Sequence, residues 1–273
     1  MSVTGRRPKI IASDLDGTIV ADYGYISDRT KSAFAAAHNL GIHIYFATGR
    51  PIRWMKEIKE NFAFGLGICG NGAMIYDFIN EKILEQWLIS IDNQFEIVNR
   101  MRKAIPTVSF AVEIDEHFHR EQHYIPRWDT GQDDVGEQRI EDVMKKPALK
   151  LMARCSNGEL TSDEMLVRAN EAISDIATVT HSNAHESLLE ISALGISKGS
   201  TLAKVSQRLG ISAEDVVTFG DNPNDFSMLQ WAGRSWTLSD GHPDAPKYAK
   251  FVTDPHQDDG VAKVIEQLLA LPA

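Results

Sequence analysis

The chain has 273 residues, enough for one large domain or two of modest size. Hydrophobic residues make up 43% and charged residues 24%, a balance that excludes a disordered or fibrous protein. Lys and Arg number 28 against 38 Asp and Glu, a net charge of -10, so no basic face for nucleic acid is expected and a phosphorylated ligand would need cations gathered locally.

Residues 9–12 form a short apolar run that Ser13 and Asp14 cut at once. It is too short for a signal-peptide core or a membrane span. With only two cysteines, Cys69 and Cys155, a reducing cytoplasmic setting is expected. Ser27 is placed to cap a helix that runs to about Leu40, with Gly41 just beyond it. Residues 42–46 read as a second buried strand, ending at Thr48-Gly49-Arg50, and a helix from Met55 to Glu60 leads to a third at 66–69. Strands alternating with helices of this length predict βαβ units and a parallel sheet.

The rhythm then changes. Residues 74–76 and 83–88 are β-like, 92–104 reads as a helix, and 108–114 and 119–125 read as strands. A polar loop at 129–136, a short helix, a strand at 148–155, a helix at 162–173 and a strand at 177–181 complete an α+β module of roughly a hundred residues. After Leu188 the βαβ pattern returns. Ser197 caps a helix to Leu209, residues 216–220 form a strand before Asp221, and a helix at 224–231, strands at 235–238 and 251–252 and a helix from Val261 follow. The expected organisation is a discontinuous core domain, residues 1–82 and 188–273, interrupted by a second domain at 83–187.

In open parallel sheets, ligands sit beyond the carboxyl ends of the strands. The first strand delivers Asp14-Leu15-Asp16-Gly17-Thr18, the second Thr48-Gly49-Arg50, and a later one Asp221-Asn222-Pro223-Asn224-Asp225. Asp14, Asp16, Asp221 and Asp225 would make an all-oxygen, strongly negative site, whose hard ligands suit Mg²⁺. No His or Cys falls in these clusters, which disfavours zinc. An EF-hand is disfavoured as well, because Gly17 comes two residues early and Tyr25 takes the place of the closing Glu. Lys198 stands in the first turn of a helix, against the macrodipole, a placement that makes sense where helix start and ammonium hold one anion. The Thr48 hydroxyl and the backbone N–H groups beside Gly49 are suited to phosphate oxygens.

The ordered set of these four clusters resembles the four motifs of the haloacid dehalogenase superfamily. The inserted module, with Cys69-Gly70-Asn71-Gly72-Ala73 just before it, is similar to the Cof-type sugar-phosphatase subfamily. The resemblance implies a Rossmann-like α/β core with an inserted α+β cap of the C2 type. It further implies a Mg²⁺-dependent phosphatase in which Asp14 is the nucleophile and Asp16 the general acid and base. Metal would be held by Asp14, the backbone carbonyl of Asp16, Asp221 and Asp225, and phosphate by Thr48, Gly49, Lys198 and Asn224. Asn71 and Gly72 at the hinge, and Arg127, Trp128 and Lys150 in the cap, are candidates for contact with the rest of the substrate. The expected partner is a small phosphorylated metabolite, a sugar phosphate or cofactor phosphate, met by a monomer or homodimer without nucleic acid or membrane. Competing readings are a phosphotransferase or phosphomutase of the same superfamily, and a non-catalytic sensor of a phosphometabolite.

Overall fold

Two runs of the sequence, Ile10-Ile11-Ala12-Ser13 and Val216-Val217-Thr218-Phe219-Gly220, are buried along their whole length. Continuous burial without polar alternation marks strands covered on both faces by helices. In the computed structural model, which describes residues 5–21, 24–126, 135–155 and 157–273, these two runs lie side by side in parallel at the centre of a sheet.

The chain divides into two units, Met1–Glu85 with Ser197–Ala273, and Gln86–Ile196. The first begins with β1 (Ile10–Ser13), α1 (Asp28–Asn39), β2 (His43–Ala47), α2 (Lys56–Asn61), β3 (Leu66–Cys69), β4 (Met74–Asp77) and β5 (Lys82–Gln86). The second holds α3 (Ile91–Ala104), β6 (Ser109–Ile114), β7 (His117–Arg120), β8 (Lys150–Arg154), α4 (Ser162–Ile173), β9 (Ala177–Thr180) and β10 (Leu188–Ala193). The chain returns to the first unit with α5 (Lys198–Arg208), β11 (Val216–Gly220), α6 (Phe226–Trp231), β12 (Arg234–Leu238), β13 (Phe251–Thr253) and α7 (Gly260–Leu269).

The first unit's sheet has the order β13-β12-β11-β1-β2-β3-β4-β5, parallel from β13 to β3 and turning antiparallel at β4. From β1 the chain builds outward to β2 and β3 on one side, and later to β12 and β13 beyond β11 on the other. The order therefore reverses between β1 and β11, and at such a switch point the connections leave in opposite directions and open a crevice at the carboxyl ends. Phe34 of α1, Phe46 of β2, Phe62 and Phe78 are buried in one aromatic cluster on this unit, with centroids 4.7–5.9 Å apart. Each contributes about 1.5–3 kcal/mol by burial alone. Helix α1 packs against α7, and α5 against α6.

The second unit is an antiparallel sheet of order β7-β6-β8-β10-β9, with α3 and α4 packed together. Ile97, Val98 and Met101 of α3 and Met165, Ala169 and Ile173 of α4 bury their apolar stripes in one core with Phe110, Leu151 and Ile191. Three expectations shift here. Leu188–Ala193, read from the sequence as part of the outer-chain domain, is a strand that pairs with both β8 and β9 and so belongs to the second unit. The strand expected at 119–125 is β7 at His117–Arg120, because the chain reverses at Asp115-Glu116. Both turn residues take left-handed φ values (49° and 67°), the primed hairpin geometry, without the Asn or Gly that would announce it. The short helix expected after residue 136 is a single 3₁₀ turn, Ile140–Asp142.

Gly199 marks how closely α5 and α6 approach. A Cβ there would lie 2.4 Å from the carbonyl carbon of Ser227 and 2.5 Å from its oxygen, both backbone atoms that cannot swing aside. Helix propensity favours alanine by up to ~1 kcal/mol, whereas overpacking costs about 1–3 kcal/mol. The clash wins. Gly199→Ala is expected to lower the melting temperature by about 2–5 °C, read by thermal denaturation; an unchanged or raised midpoint would show that the two helices separate freely.

Candidate active site

β1 ends at Ser13, and the Asp14 N–H donates to the Phe219 carbonyl of β11 (2.9 Å), so the neighbouring strand sets its position. Beyond it the chain turns about a single acceptor: the Leu15 carbonyl receives the N–H groups of Thr18 (3.1 Å), Ile19 (2.9 Å) and Val20 (2.8 Å). Gly17 sits in this turn with φ +82°, and a Cβ there would meet Oδ2 of Asp221 at 2.9 Å. Backbone conformation and space both require glycine. The Thr18 hydroxyl then donates to Oδ1 of Asp221 (2.8 Å), joining segments 203 residues apart.

Lys198 is fully buried at the start of α5, which Ser197 and Ser200 close with a reciprocal capping box. Its ammonium donates to Oδ1 of Asp14 (2.5 Å) and to Oδ1 of Asp225 (2.6 Å). Burial pulls its proton affinity down, but the charges of Asp14 and Asp225 more than offset this, and the pKa is raised. The Oδ2 of Asp225 accepts from the backbone N–H groups of Asp221 (3.0 Å) and Asn222 (3.1 Å). Asp225, completely buried, thus holds the lysine with one oxygen and the loop after β11 with the other.

Asp16 meets a different environment. Its side chain is 58% exposed and receives the Arg50 guanidinium in a fork, Nη2 to Oδ1 at 2.5 Å and Nε to Oδ2 at 2.9 Å. Arg50 also donates to Oε2 of Glu57 (2.9 Å). Its own pKa, pulled down by burial, ends raised because the bonds to Asp16 and Glu57 outweigh that effect. The charge of Asp16 reaches Asp14 and helps to raise its pKa, so both carboxylates of the first motif belong to one electrostatic site.

Thr48, fully buried, follows β2; its N–H donates to the Ile68 carbonyl (2.8 Å), its carbonyl accepts from Asn71 (2.9 Å), and its hydroxyl accepts from the Arg50 N–H (3.0 Å). Gly49 follows, half-buried. Asn71 holds a left-handed φ of 56° and its Oδ1 accepts from the Asn224 amide (3.1 Å), so that Asn71, bonded also to the Thr48 carbonyl, links the second and fourth motifs. The Nδ2 of Asn71 and the Oδ1 of Asn224 are buried without a hydrogen-bond partner among the described residues, and such orphaned groups suit a ligand. The Gly72 carbonyl accepts the Thr201 hydroxyl of α5 (2.7 Å), so Gly72 braces the helix that carries Lys198. Cys69 is buried, and burial pushes its thiol up to about 12, far from a nucleophilic thiolate. Lys150 lies on β8 in the second unit, where its ammonium donates to Glu190 (2.6 Å). Arg127 and Trp128 lie outside the described residues. The sequence assigned no task to Thr18, Arg50 or Glu57, because each acts through a partner that no local pattern reveals.

The ligand atoms of Asp14, Asp221 and Asp225 lie within 4.8 Å of one another and all three residues are buried. Burial, with the charge of Asp225, pushes the Asp14 carboxyl up to about 7, although Lys198 opposes the shift. Burial, then Asp14 and Asp225, raise Asp221 well above its ordinary value, while the Thr18 hydroxyl and Lys198 act against them. Three carboxylates face one ammonium here, and an all-oxygen set with that excess of negative charge fits a divalent cation.

A family model described as haloacid dehalogenase-like hydrolase matches residues 11–265. A 5-amino-6-(5-phospho-D-ribitylamino)uracil phosphatase of Bacillus subtilis (strain 168) is 26% identical, with 94% of each chain covered. Among solved structures, a sugar phosphatase of haloacid dehalogenase subclass IIB is similar with a TM-score of 0.77 at 22% identity, covering 94% of this chain and 98% of that one. A phosphatase of the same superfamily from Bacteroides thetaiotaomicron gives a TM-score of 0.78 at 19% identity, with 96% and 95% covered. These likenesses extend over both units and include the parallel-sheet core and the separate antiparallel sheet. No helix among the described residues is long and apolar enough to cross a membrane.

The raised carboxyls make stability depend on pH in a defined direction. Asp14 keeps its proton up to about pH 7 when folded but releases it near 4 when unfolded. Between those values the folded state binds more protons, so this contribution to stability is lost as pH rises from about 4 to 7. A cation bound to the ionised carboxylates restores it. Millimolar divalent cation should therefore raise the melting temperature more at pH 8 than at pH 5, as measured by differential scanning fluorimetry; an equal shift at both values would contradict the electrostatics described.

Proposed function

Because this chain belongs to the haloacid dehalogenase-like hydrolase family, we propose that it is a phosphatase acting on a small phosphorylated metabolite through an aspartyl-phosphate, with Mg²⁺ as its cation. The observation that carries the reading is the Lys198 ammonium held between Asp14 and Asp225 with Asp221 beside them. One preorganised positive charge lies against the nucleophile, in a buried setting where electrostatic stabilisation is strongest.

Asp14, carried on a rigid strand end, attacks phosphorus in line and forms the covalent intermediate. Asp16 gives its proton to the departing oxygen, then takes a proton from the water that hydrolyses the intermediate. Lys198 keeps Asp14 oriented and binds phosphoryl oxygens, together with the Thr48 hydroxyl, the backbone at Gly49 and the second N–H of the Asn224 amide, whose other N–H is held by Asn71. Asp14, the Asp16 carbonyl and Asp221 would hold the cation, and Asp225 fixes both the lysine and the loop that bears Asp221. Mg²⁺, when bound, supplies the positive charge that keeps Asp14 ionised and offsets the charge of the phosphoryl oxygens.

A sugar phosphate or a cofactor phosphate is the substrate class, in line with the phosphoribityl compound named for the Bacillus subtilis relative and the sugar phosphatase among the similar structures. We assign Asn71 and Gly72, which sit in the first unit beside Thr48 and the helix that carries Lys198, to contact with the substrate. The two free, buried cysteines accord with a cytoplasmic protein. Hydrolysis of p-nitrophenyl phosphate with Mg²⁺ tests the mechanism directly. Asp14→Asn is expected to lower kcat by ~10³-fold or more, and equal turnover by the two proteins would overturn the assignment.

A further inference from the structure

The Asp16 carboxylate lies largely in solvent, where a side chain of two free torsions samples several rotamers. A general acid must instead present its oxygen in a fixed direction. Arg50 removes that freedom. Its Nη2 holds Oδ1 at 2.5 Å and its Nε lies 2.9 Å from Oδ2 and 3.2 Å from Oδ1. The Arg50 side chain is itself only 13% exposed, and its guanidinium is fixed from further sides, by Glu57 of α2 (2.9 Å) and the Trp54 carbonyl (3.4 Å). The Arg50 backbone is pinned as well, its N–H to the Thr48 hydroxyl (3.0 Å) and its carbonyl to the Gly70 N–H (3.1 Å).

Burial explains why the guanidinium needs a carboxylate partner, and Glu57 at 2.9 Å supplies one. It does not explain the second, because the Asp16 side chain is 58% exposed and needs no partner of its own. Orientation of Asp16 does account for it. From this geometry we infer that Arg50, braced by Glu57, is the positioning residue for the general acid and base Asp16, an inference that rests on the phosphatase reading above.

Both oxygens accept from the fork, Oδ1 at the shorter distance from Nη2 and Oδ2 from Nε, and the less tightly held Oδ2 is assigned as the proton carrier. In the first half-reaction the bond from phosphorus to the leaving oxygen breaks as the Asp14 oxygen bonds to phosphorus, and the proton on Oδ2 passes to the leaving oxygen. In the second, water bonds to phosphorus, its proton passes to Oδ2, and the electron pair of the broken bond returns to Asp14. Through both, Oδ1 accepts from Nη2, so the carboxyl keeps its direction while its charge changes. A bidentate fork can do this and a single ammonium cannot.

The test is the dependence of kcat/KM on the leaving group, over phenyl phosphates from p-nitrophenyl, which departs without help, to p-methylphenyl, which needs a proton. Asp16→Asn, Arg50→Ala, Arg50→Lys and the Asp16→Asn/Arg50→Ala double variant are compared with wild type. Misplacing a catalytic group by about 1 Å costs on the order of 10²-fold. The loss caused by Arg50→Ala is therefore expected to be about 10–100 times greater for p-methylphenyl than for p-nitrophenyl phosphate, with Arg50→Lys falling between. In the double variant the dependence should be no steeper than in Asp16→Asn alone. A uniform loss across the series, or steepening that adds to that of Asp16→Asn, overturns the inference and leaves the phosphatase reading standing. Should Arg50→Ala not fold, Arg50→Lys decides, a wild-type dependence overturning the inference and a steeper one supporting it. If the wild type hydrolyses none of the series, the phosphatase reading fails and this inference with it.

Discussion

A lysine with no exposure to solvent, held by two carboxylates, is the constraint on which the rest of the site depends. An ammonium taken out of water costs several kcal/mol, and removing one partner of such a pair costs about 3–5 kcal/mol. The chain must therefore bring Asp14, Lys198 and Asp225 together whenever it folds. Other features follow from that demand. The Ser197 cap sets the start of α5, Gly199 lets α5 approach α6, and Asp225 turns its second oxygen to the backbone of the Asp221 loop. Stability and preorganisation come from the same contacts.

That arrangement leaves charge unbalanced, and the imbalance is chemically useful. The Asp14 carboxyl, raised to about 7, is only partly ionised at neutral pH, so the role proposed for it as nucleophile depends on added positive charge. Two residues away, Asp16 faces solvent on an arginine fork. Two carboxylates of one motif thus occupy unlike environments, a buried one beside an ammonium and an exposed one beside a guanidinium. Separation of this kind lets two identical groups take different roles in one reaction.

Much of this is legible in the residues themselves. Buried apolar runs ending in Asp14, Thr48 and Asp221 identify strands and place their polar ends on one rim, because a parallel sheet imposes that geometry. Ser27 and Ser197 announce helix starts, and both side chains accept from the third residue beyond. The less legible parts share one cause. Leu188–Ala193 looks like a return to the core, since an antiparallel strand buried in a second sheet carries the same apolar pattern as a parallel one. The Asp115-Glu116 turn has no glycine or asparagine to signal it. Arg50 reads as the end of a turn because its partners, Asp16 and Glu57, come from a different strand end and from the next helix.

By itself, then, the sequence determined which residue types gather at the strand ends: oxygen ligands without His or Cys, one lysine at a helix start, and a threonine beside a glycine. Local patterns suffice for this, since strand burial and helix caps depend on near neighbours. Only the tertiary structure decided which carboxylate holds which cation. Lys198 binds Asp14 and Asp225 rather than standing open at its helix end, and Arg50 takes Asp16. Those pairings span 184, 27 and 34 residues, and the desolvation that gives them force exists only once the sheet has closed around them.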